Sequence, residues 1–224
     1  MVDIVIPKNN EEDFLRIAGK LGYEGICFLY PLKNFREKKK VIEEMQKEMQ
    51  TKRNSENPQI KILTGILVDA EKSKSFAIGS ALRKEADLIA VMGFSRSLFE
   101  KKEVDIIFGL EKQSNDFGSS RNSGLNEALC AIAKKNNIAI SFSVSQILEL
   151  EGVERTKIVG RIMQNIRLCR KYKLDAIIAS FASEPMLMRS PHDMKSLAIV
   201  LGMEPGEAKN GLEKKFLFAG ISED

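Results

Sequence analysis

The chain has 224 residues, of which 43% are hydrophobic and 29% charged, so it can bury a substantial core and is not of the disordered class. Its formal net charge of +4 permits a nucleic-acid partner but does not require one. No apolar run reaches the length of a transmembrane helix, and the amino-terminus begins with a strand pattern, so we expect a cytoplasmic protein without a membrane partner.

Short apolar runs alternate with helical periodicity along the chain. Strands are predicted at Val2–Ile6, Gly25–Tyr30, Ile60–Val68, Asp87–Met92, Val104–Phe108, Ile138–Phe142 and Ala176–Ala179. Helices are predicted at Glu11–Lys20, Asn34–Lys52, a segment ending at Ala86, Ser95–Lys101, Gly124–Asn136, Ser145–Lys173, Met194–Leu201 and Pro205–Lys214. The helix at Ser145–Lys173 should break near Gly152, and Gly109–Ser123 is the one long irregular segment.

This alternation predicts the fold class. The strands are continuous apolar runs, as expected when both faces of a parallel sheet are covered by helices. Seven or eight strand–helix units in 224 residues favour an α/β fold, a distorted TIM-like (β/α) barrel with about seven parallel strands and an outer ring of helices. We expect residues 1–224 to form a single domain, in which Phe216–Ala219 is either an eighth strand or a packed tail.

The residue types expected of a barrel enzyme are scarce at the carboxyl ends of these strands, where such enzymes place their reactive groups. The residues there are mainly Ser, Asn and Arg, and the only histidine of the chain is His192. His192 lies beside Asp193 at a helix start, which is more typical of a capping neighbour than of a base. Cys27, Cys130 and Cys169 are far apart in apolar segments and are expected to be buried free thiols. We predict no catalytic residue and no metal ligand, although a magnesium site built from carboxylates alone remains open.

Basic residues offer a more informative pattern. Between Arg155 and Lys173 there are seven lysines and arginines and no acidic residue. On a helical wheel, Lys157, Arg161, Arg167 and Lys171 fall within about 120° of one another, opposite the apolar arc. A face of one charge suits a phosphate backbone, and it could equally be a solvated surface.

Two further places carry candidate phosphate ligands. Arg121 and Asn122 lie in the irregular segment, where they could contact RNA or belong to a loop that caps the next helix. Arg96 follows the fourth strand. The full set of predicted RNA-binding residues is Arg96, Arg121, Asn122, Lys157, Arg161, Arg167, Lys171 and Arg189.

The stretch Leu174–Lys209 resembles the archaeal and eukaryotic ribonuclease P protein component 3 family, the p30 subunit family. In that family a strand ending in small residues is followed by Pro, by Arg-(Ser/Gly)-Pro-x-Asp, by a helix and Gly, and by Gly-x-Ala-Lys. The corresponding residues here are Pro185, Arg189-Ser190-Pro191, Asp193, Gly202 and Gly206-Glu207-Ala208-Lys209. The segments DLIAVMG and EVDIIFGLE are also similar to the family, and the order of elements agrees along the whole chain.

The resemblance implies a distorted barrel related to metal-dependent phosphoesterases and a subunit of the ribonucleoprotein that removes the 5′ leader from precursor tRNA. It implies that the RNA holds the catalytic Mg²⁺, that the protein itself binds no cofactor, and that the subunit assists RNA folding, substrate binding and catalysis. The implied partners are ribonuclease P RNA, protein component 2, the other protein subunits and precursor tRNA. Arg189 becomes a candidate phosphate contact.

Two alternatives remain at this point. One is a stand-alone, metal-dependent phosphoesterase-like barrel hydrolase. Against it, Lys8-Asn9-Asn10 stands where a phosphoesterase relative would carry a histidine-rich motif after the first strand. The other is a protein-interaction module whose basic face meets an acidic partner.

Overall fold

A single parallel sheet runs through the computed structural model, which describes residues 1–51, 60–72, 79–112 and 122–213. Its seven strands pair in the order of the chain: β1 (Val2–Val5), β2 (Gly25–Pro31), β3 (Lys61–Asp69), β4 (Leu88–Met92), β5 (Ile106–Phe108), β6 (Ala139–Ser143) and β7 (Ala176–Ala179). Every neighbouring pair is parallel. The predicted barrel class and strand number are confirmed.

The barrel is closed between β1 and the residues that follow β7. The amide of Phe181 donates to the carbonyl of Ile4 at 2.7 Å, and the amide of Ile6 donates to the carbonyl of Ala182 at 2.8 Å. The carboxylate of Asp3 adds a third link, because its Oδ1 accepts the amide of Ser180 at 2.9 Å. A buried side chain of β1 therefore joins the first and last parts of the sheet.

An outer ring of helices surrounds the sheet. In the described residues these are α1 (Glu11–Leu21), α2 (Leu32–Thr51), α3 (Ser80–Glu85), α4 (Arg96–Phe99), α5 (Glu127–Lys135), α6 (Val144–Glu149), α7 (Gly152–Tyr172), α8 (Pro191–Val200) and α9 (Pro205–Glu213). The predicted break near Gly152 is confirmed, since α6 ends at Glu149 and α7 starts at Gly152. No helix in the described segments is long and apolar enough to cross a membrane.

Two apolar clusters follow from the alternation of side chains along each strand. One set of positions packs under the helices. The other fills the inside of the barrel and includes Ile4, Cys27, Leu29, Leu63, Leu88, Ala90, Ile106, Phe108, Ala139, Ile177, Ala179 and Phe181. The barrel is thus filled by its own side chains, and the three cysteines are buried free thiols, as predicted.

Some predicted boundaries differ from the structure. The predicted strand Val104–Phe108 begins only at Ile106, because Asp105 turns its carboxylate to the amide of Ile89, at 2.7 Å, before the strand starts. The helix predicted from Ser95 is a single turn at Arg96–Phe99. The helix that was predicted from Met194 starts earlier, at Pro191, a residue suited to the first helical turn. Phe216–Ala219, the proposed eighth strand, lies outside the described residues.

Gly65 in β3 tests how tightly the sheet is packed. A Cβ at this position would lie 2.6 Å from Cδ2 of Leu29 and 2.8 Å from the carbonyl oxygen of Leu88. We expect Gly65→Ala to lower the free energy of unfolding by about 1–3 kcal/mol, measured by urea denaturation. Gly206→Ala is the matched control, because nothing lies within 4 Å of the added methyl group, and it should be neutral or mildly stabilising. Equal effects from the two substitutions would contradict this description of the packing.

Candidate nucleic-acid interface

Aromatic rings fill the carboxyl-terminal mouth of the barrel, the place where barrel enzymes bind their substrates. Phe108 at the end of β5 and Phe181 just after β7 stack with their ring centroids 3.9 Å apart and 9° between their planes. Both side chains are almost fully buried. Phe181 holds a left-handed backbone conformation, with φ of 46°, which is uncommon for a bulky residue. The mouth is therefore occupied by a stacked apolar pair, Phe108 and Phe181, which we call the aromatic plug.

Serines at the same end are used for internal hydrogen bonds. Ser143 and Ser145 hydroxyls lie 3.1 Å apart, and both are buried. Ser145 Oγ donates to the carbonyl of Phe181 at 3.2 Å, which fixes the segment that carries the aromatic plug. These rim serines position the protein's own backbone.

The residues after β1 form a second internal network. Glu11 at the start of α1 is buried, accepts a hydrogen bond from the Tyr30 hydroxyl at 3.0 Å and lies 3.2 Å from Nζ of Lys38. Lys38 Nζ also donates to Asn9 Oδ1 at 2.6 Å. With Lys8, Asn9 and Asn10 following β1, and no histidine there, these residues do not fit the metal centre of a phosphoesterase. Within the described segments, no group of three or more His, Cys, Asp and Glu side chains is placed to hold a metal ion.

His192 lies on the surface, with 89% of its side chain exposed. The neighbouring Ser190 is the N-cap of α8, where its hydroxyl accepts the Asp193 amide at 3.2 Å and lies 2.8 Å from the Asp193 carboxylate. The hydroxyl bond to Ser190 is the main cause that holds the pKa of Asp193 below its usual value. The Arg-Ser-Pro-His-Asp segment thus acts as a helix start, and His192 is a neighbour of the cap.

The predicted basic face of α7 is not of one charge in the structure. Lys157 lies 2.8 Å from Glu154 on the preceding turn, and Lys171 lies 2.7 Å from Glu127 of α5. The wheel counted only residues within Arg155–Lys173, so it missed acidic groups from the adjoining turn and the adjacent helix. Arg167 is exposed and makes no salt bridge in the described part of the chain. The expectation of an acid-free face is wrong.

Arg161 is predicted on the exposed face of α7, but in the structure it is buried, with only 4% of the residue accessible. Its Nη1 donates to the carbonyl of Glu111 at 3.0 Å. One turn further along α7, Asn165 Nδ2 donates to the carbonyl of Ser123 at 2.9 Å. The two side chains hold the described ends of the connection between β5 and α5.

Glu111 was not among the predicted site residues. Its side chain is 1% exposed, and burial raises its pKa to about 7. One of its carboxylate oxygens, Oε1, has no hydrogen-bond partner in the described structure. In the sequence, the only indication of a buried carboxylate was that Glu111 follows a buried strand closely, in GLEK. Acidic residues are common in loops, so this pattern did not distinguish Glu111.

The other predicted RNA contacts are scattered, and within the described segments no hydrogen bond or salt bridge joins two of them. Arg96 is exposed and lies 3.6 Å from Glu100, while Arg189 donates to the carbonyls of Met186 at 2.9 Å and Met188 at 2.7 Å. Asn122 Oδ1 accepts the amide of Gly124 at 3.4 Å. Arg121 lies outside the described residues. The RNA-binding role of all eight residues stays a prediction.

Comparison with known proteins gives a consistent result. The family model described as RNase P subunit p30 matches residues 1–217. The chain is 26% identical over 218 residues to ribonuclease P protein component 3 of Methanothermobacter thermautotrophicus, covering 94% of this chain and 84% of that protein. It is 29% identical over 206 residues to the protein of the same name from Methanosarcina barkeri, covering 90% and 78% of the two chains.

Solved structures also share the fold. A chain in the cryo-EM structure of archaeal ribonuclease P with mature tRNA superimposes with a TM-score of 0.77 at 19% identity, covering 98% of this chain and 90% of that one. Ochratoxinase from A. niger superimposes with a TM-score of 0.50 at 11% identity, covering 93% and 68%. At these identities the structural matches show the barrel fold alone.

Proposed function

Because this chain belongs to the RNase P subunit p30 family, we propose that it acts as a non-catalytic, RNA-binding subunit of ribonuclease P, the ribonucleoprotein that removes the 5′ leader from precursor tRNA. In this proposal the RNA holds the catalytic Mg²⁺, and the protein assists RNA folding, substrate binding and catalysis. Its partners are ribonuclease P RNA, precursor tRNA, protein component 2 and the other protein subunits.

The aromatic plug is the observation that carries the non-catalytic part of the proposal. Barrel enzymes need an open mouth with polar groups that converge on the substrate. Here Phe108 and Phe181 stack in the mouth, and Ser143 and Ser145 bond to each other and to the backbone of the plug. The barrel is shared with ochratoxinase from A. niger, but a fold alone does not carry an activity.

The stand-alone hydrolase is the weaker candidate, since the family match covers nearly the whole chain and the residues after β1 do not fit a phosphoesterase metal centre. The His192 side chain is 89% exposed at a helix start, so burial does not alter its chemistry. We therefore assign cleavage to the assembled particle.

Reconstituted cleavage of precursor tRNA tests the proposal. The assay combines the cognate RNA and the other protein subunits, with and without this chain. We expect omission of the chain to slow cleavage, on the order of tenfold, and to raise the Mg²⁺ concentration needed for half-maximal rate. The isolated chain with Mg²⁺ should cleave nothing.

Two results would contradict the proposal. An unchanged rate and Mg²⁺ requirement on omission would remove the chain from the enzyme's function. Cleavage by the isolated chain that is abolished by His192→Ala would favour the hydrolase.

A further inference from the structure

Three of the described arginines at the carboxyl end of the barrel are bound within the protein. Arg96 lies 3.6 Å from Glu100. Arg155 donates to the carbonyl of Leu150 at 2.5 Å, and Arg189 donates to two nearby carbonyls. A guanidinium engaged in this way has fewer donors left for a phosphate.

The amino end of the barrel, where the strands begin and the helices end, carries a different set of cations. Seven exposed lysines there make no salt bridge in the described part of the chain: Lys20, Lys61, Lys84, Lys102, Lys134, Lys135 and Lys173. At the carboxyl end, four exposed lysines meet the same description: Lys8, Lys33, Lys112 and, in the first half of α8, Lys195. The unpaired positive charge is therefore concentrated at the amino end.

Helix dipoles account for part of this arrangement. Lys20, Lys84 and Lys135 lie in the last turns of α1, α3 and α5, where a cation is favourable. Lys61, the first residue of β3, and Lys102, in the connection between α4 and β5, are not at helix ends. Helix stabilisation alone does not explain these two lysines.

A cleft of ≈ 480 Å³ lies among these lysines. Its lining residues are Lys102, Val104, Asp105, Lys135, Asn136, Asn137 and Asp175. The carboxylate of Asp105 already accepts the amide of Ile89 at 2.7 Å and lies 3.3 Å from Arg83. Asp175 also has an interaction within the protein. Both carboxylates of the cleft therefore interact within the protein, whereas Lys102 and Lys135 make no salt bridge in the described residues.

Lys173 lies close to the same region, because its carbonyl accepts Nζ of Lys134 at the end of α5 at 2.6 Å. Lys102, Lys135 and Lys173 therefore precede β5, β6 and β7, Lys135 as the last residue of α5 and Lys173 directly after α7. Flexible lysines that precede three neighbouring strands suit a phosphodiester backbone, whose charges are spaced along a strand.

We propose that the amino end of the barrel, centred on this cleft, binds the phosphodiester backbone of RNA through Lys102, Lys135 and Lys173. This inference rests on the proposed function as an RNA-binding subunit and adds the surface that makes the contact. It puts the RNA at the opposite end from the aromatic plug and from the substrate sites of barrel enzymes.

The test compares two triple variants of the full chain that remove equal charge. Lys102→Gln, Lys135→Gln and Lys173→Gln change the amino end, and Lys8→Gln, Lys33→Gln and Lys112→Gln change the carboxyl end as the matched control. Binding to the cognate ribonuclease P RNA is measured by fluorescence anisotropy over a range of KCl concentrations, and thermal melting checks that each variant is folded.

We expect the amino-end variant to flatten the slope of log K against log salt by about 2, since each lost phosphate contact removes about 0.7–0.9. At 0.1 M salt its affinity should fall on the order of 100-fold. The control removes the same net charge from the carboxyl end, where we expect no phosphate contact. It should therefore change the slope by much less.

Three outcomes would overturn the inference. Equal losses in both variants would mean that only net charge matters, and a larger loss in the control would place the RNA at the carboxyl end, with the proposed function intact. An unchanged RNA slope with impaired assembly with the other protein subunits would assign the surface to an acidic protein. Wild-type chain that shows no salt-dependent RNA binding would instead contradict the proposed function itself.

Discussion

Replacing Asp3 by asparagine is expected to remove a pH dependence of about 3 kcal/mol from the free energy of unfolding between about pH 4 and pH 6. Asp3 is 2% exposed, and burial raises its pKa from 3.8 to about 6, while hydrogen bonds from Ser180 and Ile4 partly oppose the shift. Each pKa unit of difference between the folded and unfolded states corresponds to about 1.4 kcal/mol.

The direction of the effect follows from the raised pKa. Between pH 3.8 and about 6 the folded protein keeps a proton on Asp3 that the unfolded chain has released. The unfolded state therefore binds fewer protons, and stability decreases as the pH rises through this window. Above about pH 6, Asp3 is ionised in the folded protein as well, and the free energy of unfolding is lowered by the full cost of the buried charge. Glu111, whose pKa is raised to about 7, acts in the same direction, so the effect of Asp3 must be read as a difference between variant and wild type.

Urea denaturation at a series of pH values from 4 to 8 measures this difference. Asparagine keeps the acceptor oxygen for the amides of Ile4 and Ser180, which lie 2.9 Å from Asp3 Oδ1. Asp193→Asn is the control, because the pKa of that exposed carboxyl is lowered and its contribution has the opposite sign. If wild type and Asp3→Asn give parallel curves, Asp3 does not titrate in the folded barrel as we describe.

Local sequence patterns predicted the barrel well, because each strand is a continuous apolar run and each helix has its own apolar face. Ala176–Ala179 and the break before Gly152 were predictable for this reason. Closure of the barrel was not predicted, because it depends on Asp3 meeting Ser180, two residues that are 177 positions apart. The stacking of Phe108 on Phe181 is likewise a contact between distant segments, and no local pattern indicates it.

The candidate site was predicted less well, for two physical reasons. A helical wheel describes one helix without its neighbours, so it could not show that α7 also packs against the turn at Leu110–Lys112, which buries Arg161. Barrel enzymes place their sites at the carboxyl ends of strands, so the sequence pattern indicated that end. The unpaired lysines of the amino end are spread from Lys20 to Lys173, so only the fold brings them to one surface.

Arg161→Ala is expected to cost about 3 kcal/mol of unfolding free energy while leaving the salt dependence of RNA binding unchanged. The substitution removes the donor of a buried carbonyl, that of Glu111 at 3.0 Å, and leaves a cavity where a 4% exposed side chain was packed. An unsatisfied buried acceptor and a cavity each destabilise the folded state.

Arg167→Ala on the same helix is the matched control, since it removes the same side chain from an exposed position. Its effect on stability should stay within about 0.5 kcal/mol. Urea denaturation and RNA binding across KCl concentrations measure both properties for both variants. A stable Arg161→Ala protein with a flattened salt slope would mean that the guanidinium reaches RNA in the particle. Loss of stability with an unchanged slope would support a positioning role, in which Arg161 fixes the start of the connection between β5 and α5.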